Sequence, residues 1–238
     1  MIAARELTKH YGAHLALDAV TFTARDGSIT GLLAPNGAGK TTTFRIVSGL
    51  LRADAGRIEV STHAGAPALG VLPHVHGLYG RLTVREHIRY FGALRGMGEG
   101  GLAARVTQLI EQLGLNEVAG SFTRTLSQGQ RVKVAVAGAL VHAPQNLILD
   151  EPTSGLDVMS TRALHALLRS LRDQGACVLF SSHVMHEVSA LCDAVVMMTG
   201  GRVAAAGAPA DLLERHGVSS LEDLFVALNG SHAGQGVS

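Results

Sequence analysis

The chain has 238 residues, 47% of them hydrophobic, a formal net charge of +1, two cysteines and no tryptophan. That length fits one large domain or two small ones with a substantial Leu/Val/Ala core. The near-neutral charge gives no electrostatic basis for a nucleic-acid or membrane-surface partner. Cys177 and Cys192 lack CxxC spacing and sit among apolar residues, so they read as buried thiols in a reducing compartment. No secretory leader is expected at the N-terminus. The longest uncharged helical stretch, residues 134–149, is interrupted by His142, Pro144, Gln145 and Asn146, so no direct insertion in a membrane is expected.

Strands are predicted at residues 2–7, 17–24 and 29–33, with Asp26-Gly27 reading as a hairpin turn between the last two. Tyr11 falls in the loop before the second strand. The third strand ends in Ala34-Pro35-Asn36-Gly37-Ala38-Gly39-Lys40-Thr41-Thr42 and runs into a helical pattern through Phe44, Ile46, Val47 and Leu50. This is the strand–loop–helix setting of a phosphate-binding loop. Gly37 and Gly39 let successive backbone N–H groups curl toward an anion, and the start of the helix adds its own unpaired N–H groups. Lys40 is placed to reach β- and γ-phosphates, and the Thr41 hydroxyl to hold Mg²⁺. Ala34 stands where the motif has its first glycine. This costs little if φ is negative there, as we expect.

Short strands are predicted at residues 56–60 and 68–72. From residue 78 to 141 the pattern turns helical. Thr83-Val84-Arg85-Glu86 is a capping box, and Val84, Ile88, Phe91 and Leu94 share one face behind it. Residues 96–101 break that helix. A second helix carries Leu102, Val106, Leu109, Ile110 and Leu113 and stops at Gly114. Ser127 and Gln130 form another capping box, opening a helix over 131–141 whose small first residues can meet an anion. One chain thus carries two phosphate-type sites but only one lysine-bearing loop. One explanation is that the second site completes a pocket on another copy.

Residues 146–150 form a continuous apolar strand of the kind buried in a parallel sheet. It ends in Asp150 and Glu151, at the strand end where ligands bind in doubly wound sheets. Asp150 is expected to hold Mg²⁺, and Glu151 to act as general base on a water aimed at the γ-phosphate. An amphipathic helix over 161–171, a buried strand over 177–180 and a helix over 184–191 follow. A hairpin through Thr199-Gly200-Gly201 and two short helices close the chain, the last capped by Ser219-Ser220-Leu221-Glu222. Residues 231–238 read as a disordered tail.

Taken in order, Tyr11, the loop 34–42, Leu126-Ser127-Gln128-Gly129-Gln130, the strand ending in Asp150-Glu151, Ser154-Gly155-Leu156-Asp157 and His183 resemble the nucleotide-binding subunit of ATP-binding cassette transporters. The segments 150–159, 178–185 and 220–225 are most similar to the NatA-type, sodium-exporting branch. The resemblance covers nearly the whole chain. It implies a single α/β domain over 1–230 built on a P-loop NTPase core, mainly a parallel sheet with helices on both faces. Residues 1–77 and 142–207 would form that core with an N-terminal antiparallel β subdomain. Residues 78–141 would be an inserted helical subdomain, and 208–230 C-terminal helices.

The resemblance also implies roles. ATP and Mg²⁺ would bind at Asn36, Gly37, Ala38, Gly39, Lys40, Thr41 and Thr42, with Tyr11 stacked on adenine. Ser127, Gly129 and Gln130 would contact the γ-phosphate held by the facing copy in a homodimer, with Asp157 at the seam. His183 would hold the attacking water with Glu151. The partner would be a membrane permease, placing the chain in the cytoplasm at the inner face of the membrane, as the ATPase of an exporter, with Na⁺ as a cargo. Alternatives are a soluble P-loop kinase or an ATP-gated dimerising regulator. Gln128 departs from the family's glycine, and His74 stands at the position of its glutamine. An imidazole ligates only when neutral, so His74 is not expected to hold Mg²⁺ directly. His74 and His76 without a third ligand are not expected to form a transition-metal site.

Overall fold

The computed structural model describes residues 1–61, 69–74 and 77–230. The expected disordered tail, Ala68 of the predicted fifth strand, and His76 lie outside them. The strands are β1 (Ile2–Tyr11), β2 (His14–Ala24), β3 (Ser28–Leu33), β4 (Ala55–Val60), β5 (Leu69–Leu72), β6 (Asn146–Asp150), β7 (Cys177–Ser181), β8 (Ala194–Thr199) and β9 (Arg202–Gly207). The helices are α1 (Lys40–Val47), α2 (Val84–Leu94), α3 (Glu99–Gln112), α4 (Gln128–Leu140), α5 (Val158–Asp173), α6 (Met185–Leu191), α7 (Pro209–His216) and α8 (Leu221–Gly230).

Two sheets form. One is antiparallel in the order β2-β1-β4. The other has six strands in the order β5-β6-β7-β3-β8-β9, parallel except for β9 at its edge. Every residue of β6 and β7 is buried. Successive side chains of β7 alternate between two cores. Val178 and Phe180 join a cluster with the helices α2 to α5, while Cys177 and Leu179 join one with α1 and the antiparallel sheet. The buried residues of α2, α3 and α4 therefore share one continuous core with the large sheet.

The predicted β2–β3 hairpin is corrected. Gly27 does adopt a turn conformation (φ 62°), but it carries the chain from one sheet to the other. β3 is sandwiched in parallel between β7 and β8, so its edges are already taken. β1 and β2 make the hairpin instead, and Tyr11 is the last residue of β1, paired with His14. Several boundaries also shift: α4 begins at Gln128 rather than residue 131, and α5 at Val158 rather than residue 161. Gly98 caps α3, which therefore takes in Gly100 and Gly101. In α8 it is Ser220, not Ser219, whose hydroxyl accepts from the Asp223 N–H at 3.0 Å. Among the described residues no helix is long and apolar enough to cross a membrane.

Candidate functional site

Parallel pairing brings the carboxyl ends of β3, β6 and β7 to one edge. Ser181 is in register with Leu32 on one side and Asp150 on the other. The loop after β3 bends through Gly37 (φ 81°) and Gly39 (φ 92°), conformations that a Cβ disfavours. Gly39 is needed twice over. A Cβ there would stand 2.4 Å from Leu17 Cδ2 and 2.7 Å from the Ala16 carbonyl oxygen. Ala34 is not among the residues with positive φ, which is why the loop tolerates it.

Lys40, Thr41, Asn36, Asp150, Glu151 and His183 line one cleft of about 590 Å³. Glu151 is its hub. Its Oε1 accepts from Lys40 Nζ at 2.6 Å, and its Oε2 lies 3.2 Å from His183 Nδ1 and 3.8 Å from His74 Nδ1. Burial by itself pushes the Glu151 carboxyl upward. The Lys40 hydrogen bond and charge, with smaller help from His183 and His74, outweigh it and hold the group below the usual glutamate value. The backbone at Glu151 is left-handed (φ 53°), a conformation costing roughly 1–2 kcal/mol for a residue with a Cβ. The turn aims the side chain at Lys40, while its N–H donates to Ser181 Oγ at 2.9 Å.

Asp150 is only 4% exposed, accepts from Ser181 Oγ at 2.6 Å, and makes none of the ion pairs among the described residues. A buried carboxylate without a cationic side chain, in a cleft that also holds the Thr41 hydroxyl, is a donor set that fits a hard cation such as Mg²⁺.

Ser127, Gly129 and Gln130 do not line this cleft. They form the expected capping box: Ser127 Oγ accepts from the Gln130 N–H at 3.3 Å, and Gln130 Oε1 accepts from the Ser127 N–H at 2.9 Å. This helix start packs on the segment after β6 of the same chain, where a Cβ on Gly129 would come 3.2 Å from the Gly155 carbonyl oxygen. Gln128, the departing residue, lies over Gly155, with its Cγ 2.8 Å from where a Cβ would be. Tyr11 is 47% exposed at the tip of its hairpin, with Lys9 Nζ 6.0 Å from the ring centroid.

A profile of the ABC transporter family matches residues 17–154. The chain belongs to the ABC transporter family. It is the ATPase domain of that family. This ABC domain is 33% identical to the linearmycin resistance ATP-binding protein LnrL of Bacillus subtilis, over 95% of this chain and 75% of that one. It is 37% identical to the ABC transporter ATP-binding protein NatA of the same organism, over 87% and 88%. A solved ATP-binding subunit of an ABC transporter superposes with a TM-score of 0.88 at 29% identity, over 96% of this ABC domain and 99% of that chain.

Sequence reasoning missed several residues of this ABC site. Ser181 fixes both acids, but only the β6–β7 register reveals it. Glu187 accepts from Thr153 Oγ at 2.9 Å and Ser182 Oγ at 3.1 Å, tying the segment after β6 to the one after β7. Phe225 of α8 lines the cleft as well, as does His74, the residue noted at the family's glutamine position. The sequence marks Ser181 as a hydroxyl ending an apolar strand, but its partners Asp150 and Glu151 follow only from the register.

Proposed function

We propose that this ABC ATPase works as a homodimer with two composite ATP sites, each joining the lysine loop of one copy to Ser127–Gln130 of the other, and that it powers a separate exporter permease. The observation that carries this reading is the separation of the two phosphate-type features. Lys40, Thr41, Asp150, Glu151 and His183 line one cleft, and the α4 start lies outside it. Beside that start, Val158 and Met159 are 69% and 72% exposed, an apolar surface next to Asp157. ATP would draw Lys40 off Glu151 and onto its phosphates. Glu151 then takes a proton from the attacking water, which His183 helps to hold. Mg²⁺, held by Thr41 and Asp150, would neutralise phosphate charge. Tyr11 offers its exposed ring to the base.

The test is complementation. Lys40→Ala and Ser127→Arg should each abolish hydrolysis alone. In a random mixture half the dimers combine the two, each with one intact composite site, so about a quarter of wild-type activity should return. Mixed protein as inactive as its components would overturn the shared site.

Ser181→Ala should leave the fold intact but raise the Mg²⁺ concentration for half-maximal hydrolysis roughly 10–100-fold, the usual cost of losing a group that orients a metal ligand. An unchanged Mg²⁺ titration would remove Ser181 from that role.

The permease seat is proposed at a second groove, lined by Leu72, Pro73, Leu78, His87 and Phe91. It is flanked by exposed Tyr79, Tyr90 and Leu94. The likeness to a linearmycin resistance protein and to Nod factor export proteins, 34–38% identical, supports export. Sodium as the cargo rests on the similarity to NatA-type sequences alone; the nucleotide cleft itself carries no cargo signature. Copurification of a hydrophobic subunit tests the partner.

A further inference from the structure

A histidine at position 74 changes the chemistry of the cleft. Two histidines of one loop lacked a third ligand in the sequence; the fold supplies two carboxylates from another element. One donor atom each from His74, Asp150 and Glu151 lie within 4.8 Å of one another. We propose that His74, Asp150 and Glu151 form a site for a borderline transition metal ion of the Zn²⁺ or Co²⁺ class in the nucleotide-free cleft, in competition with Mg²⁺–ATP. The competition rests on the reading of the cleft as the ATP site; the binding itself does not.

The donor set selects the ion. One imidazole and two carboxylates supply three protein ligands, the number found in zinc centres that leave a fourth position open. Mg²⁺ favours oxygen ligands and retains its waters, so the imidazole gives it nothing. The required movement is small. Ligands about 2.0–2.2 Å from a tetrahedral ion stand roughly 3.3–3.5 Å apart, so no donor pair must close by more than about 1.5 Å. Asp150 and Glu151 are anchored at the end of β6 through Ser181, whereas the His74 side chain is 57% exposed and has room to swing. The two Glu151 oxygens are already divided. Oε1 faces Lys40, and Oε2 faces the two histidines, so a metal arriving on Oε2 leaves the Lys40 pair in place. His183 must give up that oxygen. The bound ion occupies the carboxylate that ATP hydrolysis needs, so occupancy inhibits.

The test uses the untagged full chain without nucleotide, titrated with Co²⁺ and followed by visible absorption and calorimetry. One equivalent should bind with the colour of a tetrahedral nitrogen–oxygen centre. His74→Gln and Asp150→Asn should each weaken binding at least tenfold. An equal concentration of Mg²⁺ should not displace the ion, and Mg²⁺–ATP should. Binding unaltered by His74→Gln, or none above background, overturns the site. Retention of Co²⁺ under saturating Mg²⁺–ATP overturns the competition. Hydrolysis with Mg²⁺ alone is measured in parallel. Its presence without Co²⁺ binding sinks only the metal site, and its absence with Co²⁺ binding sinks the ATP-site assignment.

Discussion

Replacing Glu151 with glutamine is expected to lower steady-state ATP hydrolysis roughly 10²–10⁴-fold, the range for loss of a positioned general base, while ATP binding persists or tightens. The amide keeps the shape of the side chain and the left-handed turn that aims it. It loses the ability to take a proton, and it loses the ion pair with Lys40. On the proposed mechanism that pair holds the lysine that the phosphates would need, so its removal would free Lys40 for ATP. The same pair would keep the proposed base quiet before substrate arrives. Burial raises the Glu151 pKa, and Lys40 is the main influence lowering it. If Lys40 moves to phosphate, its lowering influence is lost, which leaves burial opposed by His183 and His74. Equilibrium binding of a fluorescent ATP analogue and single-turnover hydrolysis separate the two effects. Wild-type turnover in Glu151→Gln would remove Glu151 from the chemistry. Lost binding with no catalytic defect per bound nucleotide would make it a structural partner of Lys40 instead.

The protein is expected to lose stability as pH falls from about 6.5 toward 4, with His87 the largest single histidine contribution. His87 is 1% exposed beneath Tyr79 and Phe91, and burial pushes its pKa down to about 4 from the ordinary 6.5. The sign follows from proton uptake. Below 6.5 the unfolded chain binds a proton that the folded chain refuses until pH 4, so acid favours unfolding across that window. Above it the contribution is complete. The difference reaches about 3 kcal/mol at pH 4 and about 2 kcal/mol at pH 5. For a chain of this size 2 kcal/mol corresponds to roughly 4–8 °C in Tm. His142 and His165 are shifted the same way, chiefly by burial. His87→Phe keeps the aromatic cluster and removes the titration. Its Tm should therefore fall less than wild type between pH 7.5 and pH 5. Equal falls would show that other groups set the acid limit.

What the sequence made legible was the chemistry encoded within a few neighbouring residues. The glycine turn between β3 and α1 shows itself because its glycines, lysine and threonine lie within five consecutive positions. The boxes Thr83–Glu86 and Ser127–Gln130 span one helical turn each, and both form as expected. What stayed hidden depends on which strands become neighbours. Ser181 serves Asp150 and Glu151 only because β6 lies beside β7 in that register. His74 meets Glu151 only because β5 pairs with β6. The Asp26-Gly27 error has the same origin: local turn chemistry was right, but the burial of β3 between two parallel partners chose a different destination for the chain.

The wedge between Gly39 and β2 ties together parts that chemistry would treat separately. The Leu17 side chain and the Ala16 carbonyl stand where a methyl group on Gly39 would have to go, and Tyr11 rides on the same ribbon. In the proposed site, the exposed ring of Tyr11 and the turn at Gly39 are therefore joined through one hairpin. On the proposed reading, a bulkier residue at Leu17 would press on Gly39 and disturb phosphate binding without touching the nucleotide.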